Sequence, residues 1–176
     1  GAIGIASGFF YVAPPVNLAS RGLGEIFIGR NCGVLTTAGA FYVQARSMSW
    51  ESVVASIPLA VLIAAVVFIN EFQDMNADAR VGKRTLVVRM GLPKASRVYA
   101  LFMLAPFLAV VIGVAARVLP ALALISFGAL PFALRAVSIA RKRHSSPKEL
   151  APANALTTVT HTLTGILLTA AYLLSR

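Results

Sequence analysis

A chain of 176 residues in which 58% are hydrophobic and only 12% charged departs far from the soluble balance, where about a quarter of residues carry charge. That composition excludes an ordinary soluble domain and points to a protein that crosses a membrane several times. The net charge of +10 does not make it a nucleic-acid binder: the basic residues lie in short loops beside apolar runs, without interleaved aromatics, where orientation and attraction to anionic headgroups account for them.

Taken in chain order, runs free of Asp, Glu, Lys and Arg occupy residues 1–20, 31–45, 52–70, 98–116, 118–134 and 150–175. A spanning helix needs roughly 20 mostly apolar residues. Most of the runs suffice alone; the second does so when extended back through Leu23, with Arg30 inside the span. Segments such as VLIAAVVF and FLAVVIGVAA are apolar on every side, whereas membrane strands alternate in polarity. The expectation is an all-α, multi-pass bundle of about six transmembrane helices, the first of them incomplete. The first run lacks the basic head of a cleavable signal peptide. It opens on Gly1 where a reading frame normally starts with Met, so the chain is expected to be the rear part of something longer. The single cysteine, Cys32, lies in an apolar span and is expected as a small buried side chain.

If the six helices alternate, twelve of the 16 basic residues fall on one side. They are Arg21, then Arg80, Lys83, Arg84, Arg89, Lys94 and Arg97, then Arg135, Arg141, Lys142, Arg143 and Lys148. Only Arg46, Arg117 and Arg176 fall on the other. Basic residues accumulate in cytoplasmic loops, so the crowded side is expected to face the cytoplasm from a cytoplasmic (inner) membrane.

On that side stands NEFQDMNADARVGKRTL, residues 70–86, which holds both aspartates of the chain. Asn70, Asp74 and Asp78 are spaced i, i+4, i+8, which puts them on one helical face about 6 Å apart in rise per step. Hard oxygen ligands so arranged suit Mg²⁺, which is held by one or two carboxylates together with substrate phosphates. Gly82, Lys83 and Arg84 follow with a flexible turn and two cations able to bind phosphate oxygens. A solvated helix cap explains such residues equally simply, but with six acidic residues in the whole chain, Glu71, Asp74 and Asp78 cluster within eight positions. Carboxylates at a membrane are costly and functional by default.

The order N-x-x-x-D-x-x-x-D followed by GKRTLVVRMG resembles the second aspartate-rich motif of the UbiA superfamily of intramembrane prenyltransferases. YVAPPVNLASRGLGEIFIG at residues 11–29, FYVQ at 41–44, SWE at 49–51 and LTTVTHTLTGILL near the end resemble its branch that makes menaquinone precursors, the 1,4-dihydroxy-2-naphthoate polyprenyltransferases. The resemblance covers essentially the whole chain. It implies a bundle of about nine helices with an aspartate motif in each half, of which this chain carries the second. It also implies one transmembrane prenyltransferase domain over 1–176, incomplete at its front, corresponding to the rear two thirds of a member.

The resemblance further implies transfer of a polyprenyl group from its diphosphate to an aromatic acceptor, within the lipid bilayer. Mg²⁺ would be held by Asp74 and Asp78 with Asn70, and the diphosphate by Lys83, Arg84 and Arg21. Tyr11 and Glu25 would stand beside the acceptor or cavity. Against these roles stand an Arg21–Glu25 ion pair and an interfacial anchor for Tyr11. Asn17 departs from the family, where a basic residue is common. His161 is expected to hydrogen bond between helices. The competing functions are a UbiA-type enzyme with another acceptor and a transporter or prenyl-lipid-binding protein. A transporter is expected to gather its ionisable groups near the midplane, and here they gather at one surface.

Overall fold

The computed structural model describes residues 1–175; Arg176, expected on the sparsely charged side, lies outside them. Among the described residues the regular structure is helical throughout. Helix α1 (Ala2–Val12) is followed by a 3₁₀ turn, Leu18–Arg21. Next comes a continuous helical path from 24 to 45 made of α2 (Gly24–Ile28), a π-helical stretch (Gly29–Leu35) and α3 (Thr36–Ala45). Then follow α4 (Trp50–Arg80), the short α5 (Leu86–Met90), α6 (Leu92–Ala115), a 3₁₀ lead-in (Ala121–Ala129) into α7 (Leu130–Arg143), and α8 (Pro147–Leu174).

Among the described residues four helices are long and apolar enough to cross a membrane: Trp50–Arg80, Leu92–Ala115, Ala121–Arg143 and Pro147–Leu174. The first expected crossing is short, as α1 has 11 residues and reaches only about 16 Å. The second is the interrupted path from 24 to 45, about 33 Å long. The long helices run on past the charge-free runs at their charged ends. Helix α4 continues to Arg80, α6 starts at Leu92 and so takes in Lys94 and Arg97, and α7 carries Arg135 and the basic cluster up to Arg143. A charge does not end a helix, and long basic side chains reach back to the interface from its last turns.

Helices α4, α6, α7 and α8 form a ring in which each packs on the next and α8 closes back on α4. Its centre is aromatic and small by turns. Phe68 and Phe72 of α4 stack edgewise with each other, and Phe72 with Tyr99 of α6. Ala129, Ala133, Ala136 and Ala140, all fully buried, bring α7 close to its neighbours, the small-residue packing that membrane helices favour. Tyr99 Oη lies 2.6 Å from Thr157 Oγ1, which in turn donates to the Ala153 carbonyl at 2.6 Å. Thr157 is therefore an interhelical hydrogen-bonding residue of α8, whereas His161 makes no such bond among the described residues and lines a shallow groove with Leu59 and Thr162. Leu101, Leu104, Leu108, Val111 and Ile112 of α6 lie exposed, as a lipid-facing surface requires.

The path 24–45 lies against α4 at one close crossing. A Cβ on Gly33 would sit 2.3 Å from Ala60 Cα, and one on Gly29 would sit 2.9 Å from the Ala60 carbonyl oxygen. Only glycine permits this approach, and the π-helical turn brings both glycines to the α4 side. The neighbouring Cys32 is consequently turned outward and exposed, contrary to the buried position expected for it.

Candidate active site

Helix α4, at 31 residues, is about 46 Å long, against roughly 30 Å for the hydrocarbon core. Its last turns therefore reach the interface, and the aspartates avoid most of the cost of a buried charge. Asn70 stands at the inner end of the ladder, its Oδ1 accepting from Asn154 Nδ2 at 2.6 Å, which ties the start of α8 to the aspartate helix. Asp74 is exposed and forms no ion pair among the described residues. Asp78 is buried, at 9% exposure, and its Oδ1 accepts from Lys83 Nζ at 2.8 Å.

The pairing follows from how α4 ends. Gly82 adopts φ +77°, a left-handed conformation natural to glycine. Lys83 N donates to the Asp78 carbonyl at 3.0 Å and Gly82 N to that of Ala79 at 3.2 Å, the bonds of a glycine-terminated helix cap. The same turn thus puts the Lys83 side chain over the Asp78 carboxylate. This hydrogen bond, and the negative charge behind it, hold the Lys83 ammonium above the usual lysine range. Thr85 then caps α5, its Oγ1 accepting from Val88 N at 3.3 Å.

The segment 13–23 meets this turn from the other side. Arg84 N donates to the Ser20 carbonyl at 2.8 Å, so the RGLG and GKRT stretches, far apart in sequence, form one rim. Arg21 belongs to that rim, but its Nη2 is folded back onto the Pro15 carbonyl at 2.7 Å. The Arg21–Glu25 ion pair is not formed. Instead Glu25 is buried at 1% exposure, neither carboxylate oxygen meets a hydrogen-bond donor among the described residues, and the side chain lies beside Glu71 of α4. Tyr11 reaches the same place: its Oη is 3.4 Å from where a Cβ on Gly24 would stand, in the charge neighbourhood of Glu25, Glu71 and Lys83. Its side chain is half-buried there against Gly24. Asn17 takes a left-handed φ of +40°, which asparagine tolerates better than lysine or arginine.

The structure therefore brings Asp78, Lys83, Arg84, Arg21, Glu25 and Tyr11 to one end of the bundle, with Asp74 and Asn70 on the adjoining face of α4. Glu71, counted in the sequence among the clustered acids, is half-buried beside Glu25.

The sequence profile of the UbiA prenyltransferase family matches residues 1–158. The chain belongs to the UbiA prenyltransferase family. Its relatives include the 2-carboxy-1,4-naphthoquinone phytyltransferase of Synechocystis sp., 28% identical over 97% of this chain and 55% of that protein. The 1,4-dihydroxy-2-naphthoate octaprenyltransferase of Bacillus subtilis is 32% identical over 52% of this chain and 29% of its own length. The Escherichia coli protein of the same name is 37% identical over 45% of this chain and 26% of its own length. The chain thus spans at most about half the length of these UbiA relatives. No solved structure matches it significantly.

Proposed function

We propose that the protein to which this chain belongs transfers a polyprenyl group from its diphosphate to an aromatic ring, 1,4-dihydroxy-2-naphthoate or a close analogue, in quinone biosynthesis. The observation that carries the reading is the end of α4: two aspartates one turn apart, and a capping turn that sets Lys83 on Asp78 and Arg84 on the shared rim. The relatives' names supply the acceptor class.

The donor set fits Mg²⁺. Asp74 is exposed and without a cation partner, and no three His, Cys, Asp or Glu side chains converge among the described residues. A protein-only cage is thereby disfavoured, and an ion shared with substrate phosphates and water is what Mg²⁺ prefers. Asp74 and Asp78 would hold it, with the Asn70 amide oxygen behind them. When bound, Mg²⁺ supplies Lewis-acid neutralisation of the departing diphosphate.

The chain's own residues account for the remaining steps. Lys83 exchanges its Asp78 partner for a phosphate oxygen, and Arg84 with Arg21 adds fixed positive charge where negative charge develops. The carbon–oxygen bond of the allylic diphosphate breaks and diphosphate departs, the electron-rich ring carbon bonds to the allylic carbon, and that ring carbon releases the group it carried, a proton or its carboxylate as CO₂, to restore aromaticity. Exclusion of water would protect the allylic cation, while the prenyl tail gains about 0.8 kcal/mol per buried CH₂. Tyr11 and Glu25 line the acceptor side.

The test is a membrane assay of the full-length protein with a polyprenyl diphosphate and either 1,4-dihydroxy-2-naphthoate or a monocyclic phenolic acid. Product from the naphthoate at least tenfold above that from the phenolic acid, about 1.4 kcal/mol in discrimination, is the expected outcome. A preference for the phenolic acid contradicts the acceptor assignment.

The rim is expected to face the cytoplasm. With Cys32 replaced by Ala, single cysteines at Ala79 and Ser145 should react with an impermeant thiol reagent from one side of sealed vesicles, and one at Ser47 from the other. Reaction of positions 79 and 47 from the same side contradicts this topology.

A further inference from the structure

We propose that Arg89 is a positioning residue that fixes Arg21 and Arg84 on one edge of the site by holding both of their backbone carbonyls with a single guanidinium. The inference deepens, and rests on, the reading of Lys83, Arg84 and Arg21 as the diphosphate-binding rim.

Arg89 Nε donates to the Arg84 carbonyl at 2.8 Å, and its Nη2 donates to the Arg21 carbonyl at 2.8 Å, across 68 positions of sequence. The two acceptors belong to the two arginines whose side chains are proposed to meet phosphate. Beside them runs the backbone bond from Arg84 N to the Ser20 carbonyl at 2.8 Å. The contact is tight enough to demand glycine: Gly22 has φ +70°, and a Cβ there would lie 3.1 Å from the Arg84 carbonyl oxygen and 3.4 Å from Arg89 Nε.

Holding this rim together needs a specific device, because Arg21, Lys83, Arg84 and Arg89 carry like charges that push the two turns apart before an anion arrives. A planar guanidinium presents donors in a fixed fork and spans two carbonyls at once; a lysine ammonium is a point charge that does not reproduce the fork. With Nε and Nη2 committed to backbone oxygens, Arg89 acts through its neighbours rather than as a phosphate ligand. Its own position is set by α5, whose first turn is capped by Thr85. The sequence GKRTLVVRMG therefore reads as one unit: a turn bearing the ligands, a short helix, and at its end the arginine that returns to lock the turn.

The test uses the full-length protein with Arg89→Ala, Arg89→Lys, and the controls Arg84→Ala and Arg21→Ala. Loss of charge-assisted bonds is expected to raise KM for the prenyl diphosphate about tenfold in Arg89→Ala, with KM for the aromatic acceptor unchanged. Arg89→Lys, which keeps charge and approximate length, should resemble Arg89→Ala rather than the parent, and serves alone if Arg89→Ala does not accumulate. In parallel, nitroxide labels at the exposed positions Leu23 and Val81, in a Cys32→Ala background, report the spacing of the two turns. A narrow distance distribution in the parent that broadens in both Arg89 variants supports the clamp. Unbroadened distances in the Arg89 variants overturn it. Broadened distances, with KM unmoved in Arg84→Ala and Arg21→Ala, overturn instead the diphosphate reading, and with it the role given to the clamp.

Discussion

Asp74→Asn, in the full-length protein, is expected to lower Mg²⁺-dependent prenyl transfer by on the order of 10²-fold or more, the scale of losing one preorganised charge at a reacting centre. Asparagine keeps the shape and removes the charge, so the loss is electrostatic. Asp74 is exposed and forms no ion pair among the described residues, so its replacement should leave thermal stability in detergent unchanged. Asp78→Asn is expected to lose activity to a similar extent but to differ in one respect: it also strips Lys83 of its partner. Because the Lys83 side chain is 46% exposed, water replaces much of that partner, and the stability cost should be small. Activity assays at saturating Mg²⁺, read beside melting curves of the same preparations, check both statements. Retention of most activity by Asp74→Asn contradicts the metal-ladder reading.

Lys83→Ala is expected to raise KM for the prenyl diphosphate by about 10- to 100-fold, the range of one lost charge-assisted hydrogen bond, with little effect on KM for the acceptor. The Mg²⁺ concentration for half-maximal rate should fall, because the variant frees the Asp78 oxygen that Lys83 occupies. The titration of Lys83 gives a further check. Its pKa is raised by the Asp78 hydrogen bond and charge, so the pair is intact below the unfolded lysine pKa and is lost only as pH rises through the still higher folded value. The KM for diphosphate should therefore not climb on Lys83's account anywhere in the neutral range. Measurement of KM against pH in the parent and in Lys83→Ala separates the two cases.

Much of this architecture is legible before folding. The four long spans follow from hydropathy alone, because an apolar run long enough to cross a bilayer has few other destinations. The shared face of Asn70, Asp74 and Asp78 follows from helical spacing, and the turn at Gly82 from glycine's freedom at positive φ. What the sequence conceals is set by tertiary contact. The helical spacing carries α4 through Asp78, but the turn that then sets Lys83 on Asp78 rests on the conformation of Gly82. Arg21 and Glu25, four apart, suggested an ion pair, but the backbone between them bends through Gly22, which sends one side chain to Pro15 and buries the other beside Glu71. Cys32 was placed inside by its apolar neighbours, and only the glycine-to-Ala60 crossing decides which side of that helix is inside. Arg89 looked like one more basic residue in a cytoplasmic loop; its partners lie 68 positions away in one case and in the backbone in both.

One helix end carries the acids, and the adjoining rim carries the cations. Equilibrium binding of a non-reactive prenyl thiodiphosphate to the purified full-length protein, with and without Mg²⁺, tests that arrangement most directly. The account predicts binding that strengthens with Mg²⁺, loses that dependence in Asp74→Asn, and weakens in Lys83→Ala at every Mg²⁺ concentration. Binding that ignores Mg²⁺ in the parent and is unchanged by both substitutions would contradict it.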